Sequence, residues 1–246
     1  MELEQLVEIK KGETGKGLLI ENDGYISIND HRNSLLKESV DAFQNGTMKE
    51  LPRPFSVYAV FQKFDIENAN GRIYPENILK REAEKYQEKI NNRTSYGECN
   101  HPEDSNINLE RLAMHITELH WEGHTLVGKL TFPITEAYRR YGMTCNLADL
   151  MAHWVVSGLR IGVSSRGVGT VTQQYGKLIV GDDYEIICWD VVSNPSTPNA
   201  YIEMENDSLK PYIQENVDID TNKKNLLKES EKNDKFSEFI DWLNEK

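Results

Sequence analysis

The sequence predicts an α+β fold in which mostly antiparallel strands are surrounded by helices. The chain has 246 residues, a length that suits one β-rich domain with additional helices. Segments rich in β-branched and aromatic residues are separated by turn signals, and segments with apolar residues every three or four positions lie between them. We place the main domain at residues 50–205, with an N-terminal helical flank at 1–49 and a linker with a C-terminal helix at 206–246.

The elements of the first half follow from local signals. Residues 33–46 predict a helix, because apolar side chains recur on one face and a glycine ends the pattern. Residues 55–61 are rich in β-formers and predict a buried strand. The Asn-Gly turn at 70–71 leads to Pro75, which suits the start of a helix. One face of that helix carries Ile78, Glu82, Tyr86 and Ile90.

In the second half, strands predominate. Residues 112–121 and 125–132 predict a hairpin joined by a short glycine-containing turn. Asn146 is a suitable cap for a helix that ends near Gly158. Residues 159–171 resemble a strand but contain three glycines. Further strands are predicted at 177–180 and 184–192, and a short terminal helix is predicted from about Asp234.

Composition excludes several classes of protein. The formal net charge is −12, which disfavours binding to the phosphate backbone of nucleic acids. No apolar run is long enough to span a membrane, and the acidic N-terminus does not resemble a secretory signal. The three cysteines are scattered, which argues against a disulfide framework. We therefore expect a cytoplasmic protein that binds neither nucleic acid nor membrane and needs no cofactor.

Three short segments contain residues that are suited to catalysis. In the first, residues 97–102, Pro102 restrains His101, which could act as a general base. In the second, residues 159–169, small residues surround a serine that could present its hydroxyl to a substrate. In the third, Asp190 lies within an apolar strand, where a carboxylate needs a partner. Taken singly, the three are equally compatible with a surface histidine, a glycine-rich hairpin and a solvent-facing or turn-capping aspartate.

Taken in order, these segments resemble the prohead (procapsid) protease family of tailed bacteriophages. The resemblance covers about residues 55–202 and rests on an ordered set of motifs. The set comprises Asn70-Gly71-Arg72-Ile73-Tyr74-Pro75, Asn100-His101, Leu126-Val127-Gly128, Gly162-Val163-Ser164 and Asn194-Pro195-Ser196-Thr197-Pro198-Asn199-Ala200. Because the family is similar in fold to the herpesvirus assemblins, the resemblance implies that the strands form a closed β-barrel.

The resemblance also implies a serine nucleophile, a histidine base and a variable third member. On this chain they correspond to Ser164, His101 and Asp190, with Ser165 as an alternative nucleophile. Backbone N–H groups near Arg166 and Gly167, or in the 193–199 loop, are candidates for the oxyanion site. No metal is expected.

The family further implies substrates and a place of action. The substrates are phage scaffold or core proteins and the major capsid protein, and the enzyme acts in the host cytoplasm inside the assembling prohead. Self-association of the protease is possible on sequence grounds.

Two other functions are compatible with parts of the sequence. A metal hydrolase could use Cys99, His101, Glu103 and Asp104, although their spacing matches no recurrent zinc motif. A non-enzymatic scaffold or core protein of the prohead would suit the acidic, helical flanks. That second function leaves the three segments unexplained.

A repeated pentapeptide suggests self-processing. Leu-Leu-Lys-Glu-Ser occurs at residues 35–39 and again at 226–230. The large-phage branch of the family is expected to cut after glutamate in a Leu/Ile-x-Glu pattern. Glu38 and Glu229 are therefore candidate sites at which the enzyme would remove its own flanks, although two similar amphipathic helices would produce the same repeat.

Overall fold

The structure is a computed structural model that describes residues 6–102 and 104–193, without the side chains of residues 22–25. These residues belong to one compact unit, Met1–Ala200. They contain nine strands and four α-helices. The strands are β1 (Gly15–Ile26), β2 (Phe55–Lys63), β3 (Arg72–Ile73), β4 (Tyr96–Glu98), β5 (Leu112–Glu122), β6 (Thr125–Phe132), β7 (Ile161–Gln174), β8 (Lys177–Val180) and β9 (Glu185–Val192). The helices are α1 (Ser34–Gln44), α2 (Glu76–Asn91), α3 (Glu136–Tyr141) and α4 (Leu147–Val156).

Most predicted elements are present at the predicted places. The 33–46 segment forms α1, the 112–132 segment forms a hairpin of β5 and β6, and Asn146 caps α4 by accepting the backbone N–H of Asp149 at 2.8 Å. The short elements β3, β4 and α3 were not predicted, because two to six residues show no clear periodicity. The predicted C-terminal flank at 206–246 lies outside the described residues.

The strands form one sheet, but the predicted closed barrel is wrong. The strand order is β3-β8-β7-β1-β2-β6-β5-β4, and β9 pairs with β7 beside β8. At the open side, Cys99, the residue after β4, forms an isolated parallel bridge with Val191 of β9. The backbone N–H of Glu98 donates to the Asp190 carboxylate at 2.9 Å. The Asp190 side chain thus accepts the N–H of a β4 residue that would otherwise be available to pair with the backbone of β9.

Strand β1 was missed, and it changes the domain boundary. It lies in the middle of the sheet and pairs antiparallel with β7 from Gly15 to Ile26. Its glycines and polar residues gave no strand pattern in the sequence. We expected residues 1–49 to form a flank outside the main domain, but β1 pairs with the strand that carries Ser164 and Ser165. This part of the N-terminal segment is integral to the sheet.

The helices cover the sheet. Helix α2 packs on β5 and β9, and α4 packs on β5, β6 and β7. The buried carboxylate of Asp149 joins α3 to α4, because it accepts the backbone N–H groups of Thr135 at 2.7 Å and Cys145 at 2.9 Å. Among the described residues, no helix is both long and apolar enough to cross a membrane.

Aromatic side chains hold β9 in the core. The Trp189 ring is fully buried, with its centroid 5.3 Å from the Phe61 ring and 4.8 Å from the Tyr86 ring. The Phe61 ring in turn lies directly over Gly128 of β6, where an added Cβ would be 2.4 Å from the ring. The glycine therefore makes room for the aromatic cluster that fixes the residue next to Asp190.

We expect Gly128→Ala to lower the free energy of unfolding by about 1–3 kcal/mol, because overpacking forces a buried ring to move. Urea unfolding of the single variant and of Phe61→Leu/Gly128→Ala tests this. Leucine is smaller than phenylalanine, so Gly128→Ala should lower the free energy of unfolding less in the Phe61→Leu background than in the wild type. An equal loss in both backgrounds would contradict the proposed contact between Phe61 and residue 128.

Candidate active site

His101 lies in the loop after β4, at the open side of the sheet. Asn100 has a φ of 60°, a conformation that asparagine tolerates better than most residues, and its N–H donates to the Val191 carbonyl at 2.8 Å. The Arg111 guanidinium donates to the carbonyls of Cys99 at 2.8 Å and Asn100 at 3.0 Å. The loop that carries His101 is therefore held on β9 by its backbone and by an arginine from the turn before β5.

Strand pairing brings the serine and the aspartate together. Ser164 of β7 and Asp190 of β9 are direct Cα partners in an antiparallel pair. Partners in such a pair project to the same face of the sheet, with their Cβ atoms about 4.5–5.5 Å apart. Both residues are fully buried. The register of β7 against β9 is thus what places the hydroxyl beside the carboxylate.

The His101 imidazole lies between the two. Its Nδ1 is 2.8 Å from Asp190 Oδ2, and its Nε2 is within hydrogen-bond distance of Ser164 Oγ. With the Nδ1 hydrogen donated to the carboxylate, Nε2 is left as an acceptor that faces the hydroxyl. The His101 side chain is 11% exposed, so the base reaches the surface while its two partners stay buried. This arrangement suits transfer of a proton from serine to histidine.

The same register separates Ser164 from Ser165. Successive side chains of a strand point to opposite faces, so Ser165 projects away from His101. Ser165 is fully buried and its hydroxyl has no hydrogen-bond partner in the described part of the chain. The geometry favours Ser164 as the residue that His101 contacts.

A buried charge cluster orients Asp190. The Arg166 side chain is fully buried, and its Nε is 3.0 Å from Asp190 Oδ2. Arg166 also forms an ion pair with the fully buried Glu98 and donates to the Asp104 carbonyl at 2.6 Å. The other oxygen of Asp190 accepts the backbone N–H of Glu98 at 2.9 Å. The aspartate is therefore restrained on both oxygens.

Burial and neighbouring groups determine the charge states of Arg166 and Cys188. Burial lowers the pKa of the Arg166 guanidinium, but its contacts with Cys188, Asp190 and Glu98 outweigh burial and raise the pKa above its ordinary value. Burial raises the pKa of the Cys188 thiol well above its ordinary value, and the Asp190 charge acts in the same direction. Arg166 is therefore charged, and Cys188 is a neutral thiol whose Sγ is 3.3 Å from Asp190 Oδ1.

Arg166 and Gly167, two candidates for the oxyanion site, also make structural contacts within the sheet. The Arg166 side chain is committed to the buried carboxylates. An added Cβ at Gly167 would be 2.5 Å from the Tyr184 ring, so this glycine permits core packing. Both positions have partners on β1 and β9, which places their backbone within the sheet. In the other candidate, the 193–199 loop, only Ser193 is described.

Glu98 is the residue of this site that the sequence did not reveal. A glutamate three residues before His101 and an arginine two residues after Ser164 were the available signals, since neither suits an apolar strand unless it is paired. Glu103, one of the suggested metal ligands, lies outside the described residues. Within the described ranges, no group of three or more His, Cys, Asp or Glu residues is placed to hold a metal ion.

The chain is similar to known proteins in both sequence and fold. Residues 18–209 match the family model described as prohead core protein serine protease. The chain is 29% identical over 149 residues to the prohead core protein protease of Enterobacteria phage T4, an alignment that covers 59% of this chain and 66% of that protein. The chain thus spans slightly under two thirds of the length of that curated relative.

A solved structure shares the fold. The bacteriophage T4 capsid assembly protease aligns with a TM-score of 0.55 and 23% sequence identity, over 73% of this chain and 99% of the T4 chain. The resemblance noted from the sequence motifs is therefore confirmed. Because the family model spans most of the sequence, including most of β1 and all of β9, the chain belongs to the prohead core protein serine protease family.

Proposed function

We propose that the chain is a serine endopeptidase that cleaves scaffold or core proteins and the major capsid protein inside an assembling phage prohead in the host cytoplasm. The observation that carries this proposal is the position of the His101 imidazole between Ser164 Oγ and Asp190. Family membership supports peptidase activity and the capsid context.

In the acylation step, Ser164 Oγ attacks the scissile carbonyl carbon, and its proton passes to His101 Nε2. Asp190 holds the Nδ1 hydrogen and stabilises the imidazolium that forms. When the tetrahedral intermediate collapses, the peptide C–N bond breaks and His101 gives the proton to the leaving amine. The product is an acyl ester on Ser164.

In the second half of the reaction, water attacks the ester and gives a proton to His101, which returns it to Ser164. The oxyanion needs backbone N–H donors that are not used by the sheet. Arg166 and Gly167 lie within paired strands, so residues 193–199, which directly follow β9 in the sequence, stay the other candidate.

The non-enzymatic scaffold function makes a different demand on the structure. A scaffold protein needs no hydrogen bond between a histidine and a serine, nor a buried arginine beside the aspartate. The contact between His101 Nε2 and Ser164 Oγ therefore favours the protease over the scaffold protein. Self-association of the protease stays a prediction.

Ser164→Ala should abolish cleavage of the capsid protein, with a loss on the order of 10⁴–10⁶-fold in kcat, because the nucleophile is removed. The matched control is Ser165→Ala, which changes the neighbouring serine on the opposite face and should keep most of the activity. His101→Ala added to Ser164→Ala should cause no further loss. The measurement is cleavage of purified capsid protein, read by mass.

Two results would count against this assignment. An active Ser164→Ala with an inactive Ser165→Ala would move the nucleophile by one residue. Loss of wild-type activity in EDTA, restored by zinc, would favour the metal hydrolase, since the proposed reaction uses no metal.

Arg166→Met should reduce the free energy of unfolding by about 3–5 kcal/mol, because it leaves Asp190 and Glu98 buried without their cation. The control is Lys37→Met, which removes an exposed ion pair with Asp41 and should cost less than about 1 kcal/mol. Urea unfolding measures both. Equal losses in the two variants would show that Arg166 does not compensate the buried carboxylates.

We also propose that the enzyme cuts itself after Glu38 and Glu229. Glu229 lies outside the described residues. Glu38 is exposed on α1, but its neighbours Leu36 and Val40 are buried. A protease binds an extended backbone, so cleavage at Glu38 requires α1 to open locally. Because β1 lies in the centre of the sheet, a cut after Glu38 would nick the chain and leave residues 1–38 bound.

Wild-type enzyme incubated alone should therefore acquire a new N-terminus at Ser39 and a new C-terminus at Glu229, while the 1–38 fragment stays bound to the body. Terminal sequencing combined with gel filtration tests this. The control, Ser164→Ala, should keep its full mass of 28.3 kDa. An enzyme that processes its partners and stays intact would contradict self-processing.

A further inference from the structure

A second buried carboxylate, Glu21, lies directly behind the proposed nucleophile. It is in the middle of β1 and is fully buried. The segment between β2 and α2 surrounds it with hydrogen-bond donors. Its oxygens accept from Asn68 Nδ2 at 2.7 Å, Asn70 Nδ2 at 2.7 Å, Arg72 Nη1 at 2.6 Å and the Tyr74 hydroxyl at 2.9 Å. We call these four residues the Glu21 cage.

The spacing of the cage explains a motif that the catalytic residues leave unused. Its members are every second residue of the 68–74 segment, in which a turn, closed by a hydrogen bond from the Gly71 N–H to the Asn68 carbonyl at 2.9 Å, leads into β3. The turn and β3 together bring the four side chains to Glu21. The Asn68 side chain also fixes the backbone of this segment, because its Oδ1 accepts the N–H groups of Asn70 and Arg72, each at 3.0 Å. Asn70 also donates to the Ile20 carbonyl at 3.0 Å, and Arg72 donates to the Ile9 carbonyl. The cage thus donates hydrogen bonds both to the Glu21 carboxylate and to the backbone carbonyls of Ile20 and Ile9.

Glu21 is also in contact with the strand of the nucleophile. Its Cα partner on β7 is Ser165, and its carbonyl oxygen accepts a hydrogen bond from Ser164 Oγ. The regular pairing of β1 with β7 shifts immediately after Glu21 and resumes at Gly24. Glu21 is therefore the last regularly paired residue before an irregularity, and it touches the reacting oxygen.

An irregular strand needs something to define its register. A slip of β1 by one residue would turn the Glu21 side chain to the opposite face and take its charge away from Arg72. Both groups are buried, so the separated charges would be strongly destabilising. The cage accordingly disfavours a slip of β1 that would move the Glu21 carbonyl away from the Ser164 hydroxyl.

The position of that carbonyl matters to the chemistry. The Ser164 hydroxyl has one hydrogen and two nearby acceptors, the Glu21 carbonyl and His101 Nε2. Only donation to His101 leads to acylation. A small displacement of β1 therefore changes how the hydroxyl is held between its acceptors, and displacements of about 1 Å near a reacting group can reduce rates about 100-fold.

We infer that Glu21 and its cage are positioning residues for the nucleophile, which hold β1 in the register that presents Ser164 Oγ to His101. This inference rests on the proposed protease function. The cage acts from the β1 side of β7, as Asp190 acts from the β9 side. Glu21, Arg72 and Tyr74 are buried, so loss of the cage should affect kcat and leave KM nearly unchanged.

The test compares two cage variants with a control. Glu21→Gln removes the charge, and Tyr74→Phe removes one hydrogen bond while keeping the ring. We expect Glu21→Gln to lower kcat on the order of 10- to 100-fold, and Tyr74→Phe to lower it less, each with little change in KM. The control is Asp149→Asn, a buried carboxylate between α3 and α4 that should lower the melting temperature and keep kcat.

Amide hydrogen exchange gives a readout that does not need activity. In Tyr74→Phe, the amides of β1 around Glu21 and of β7 around Ser164 should exchange faster than in the wild type, while those of β5 and β6 stay unchanged. If Glu21→Gln does not fold, Tyr74→Phe decides the question by kcat and exchange together.

Wild-type kcat and wild-type exchange in Tyr74→Phe would overturn the inference, and so would a loss confined to KM. An inactive wild-type enzyme would instead refute the proposed function. Hydrogen exchange would still show in that case whether the cage holds β1 against β7.

Discussion

The other residues of the site depend on the buried positive charge of Arg166. Its guanidinium is fully buried between the carboxylates of Glu98 and Asp190, which belong to the ends of different strands. A buried carboxylate is strongly disfavoured without a cation and hydrogen bonds. Arg166 meets this requirement for two carboxylates at once, and in doing so it joins β7 to β4 and β9. Without it, the open side of the sheet would bring two uncompensated negative charges together.

That open side is also where His101 enters the site. The bridge between Cys99 and Val191 and the N–H bond from Glu98 to Asp190 replace a regular ladder between β4 and β9. A fully paired barrel would use those backbone groups among themselves. The incomplete closure leaves the Asp190 carboxylate with an oxygen for the imidazole and leaves room for the His101 loop. The gap between β4 and β9 that keeps the sheet from closing is therefore also the place where the His101 loop meets Asp190.

Strand β7, which carries Ser164, is held by both of its neighbours. On one side, the β9 register places Asp190 opposite Ser164, and on the other the β1 register places the Glu21 carbonyl on the same hydroxyl. Each neighbour carries a buried carboxylate that is paired with a buried arginine, Arg166 for Asp190 and Arg72 for Glu21. Buried ion pairs add little net stability, but a slip in register breaks them, so they specify one alignment of the strands.

The sequence by itself determined the class of fold, most of the longer helices and strands and the family, because periodicity, caps and ordered motifs are local properties. It also singled out His101 and Asp190 as candidates, each conspicuous in its own segment. It left Ser164 and Ser165 unresolved, missed β1 and Glu98, and implied a closed barrel that does not form. Those features depend on which strands pair and in which register, and pairing joins residues as distant as Glu21 and Ser165. Only the tertiary structure decides such contacts, since the free energy of burying and compensating Glu21, Glu98 and Arg166 exists only once the strands have come together.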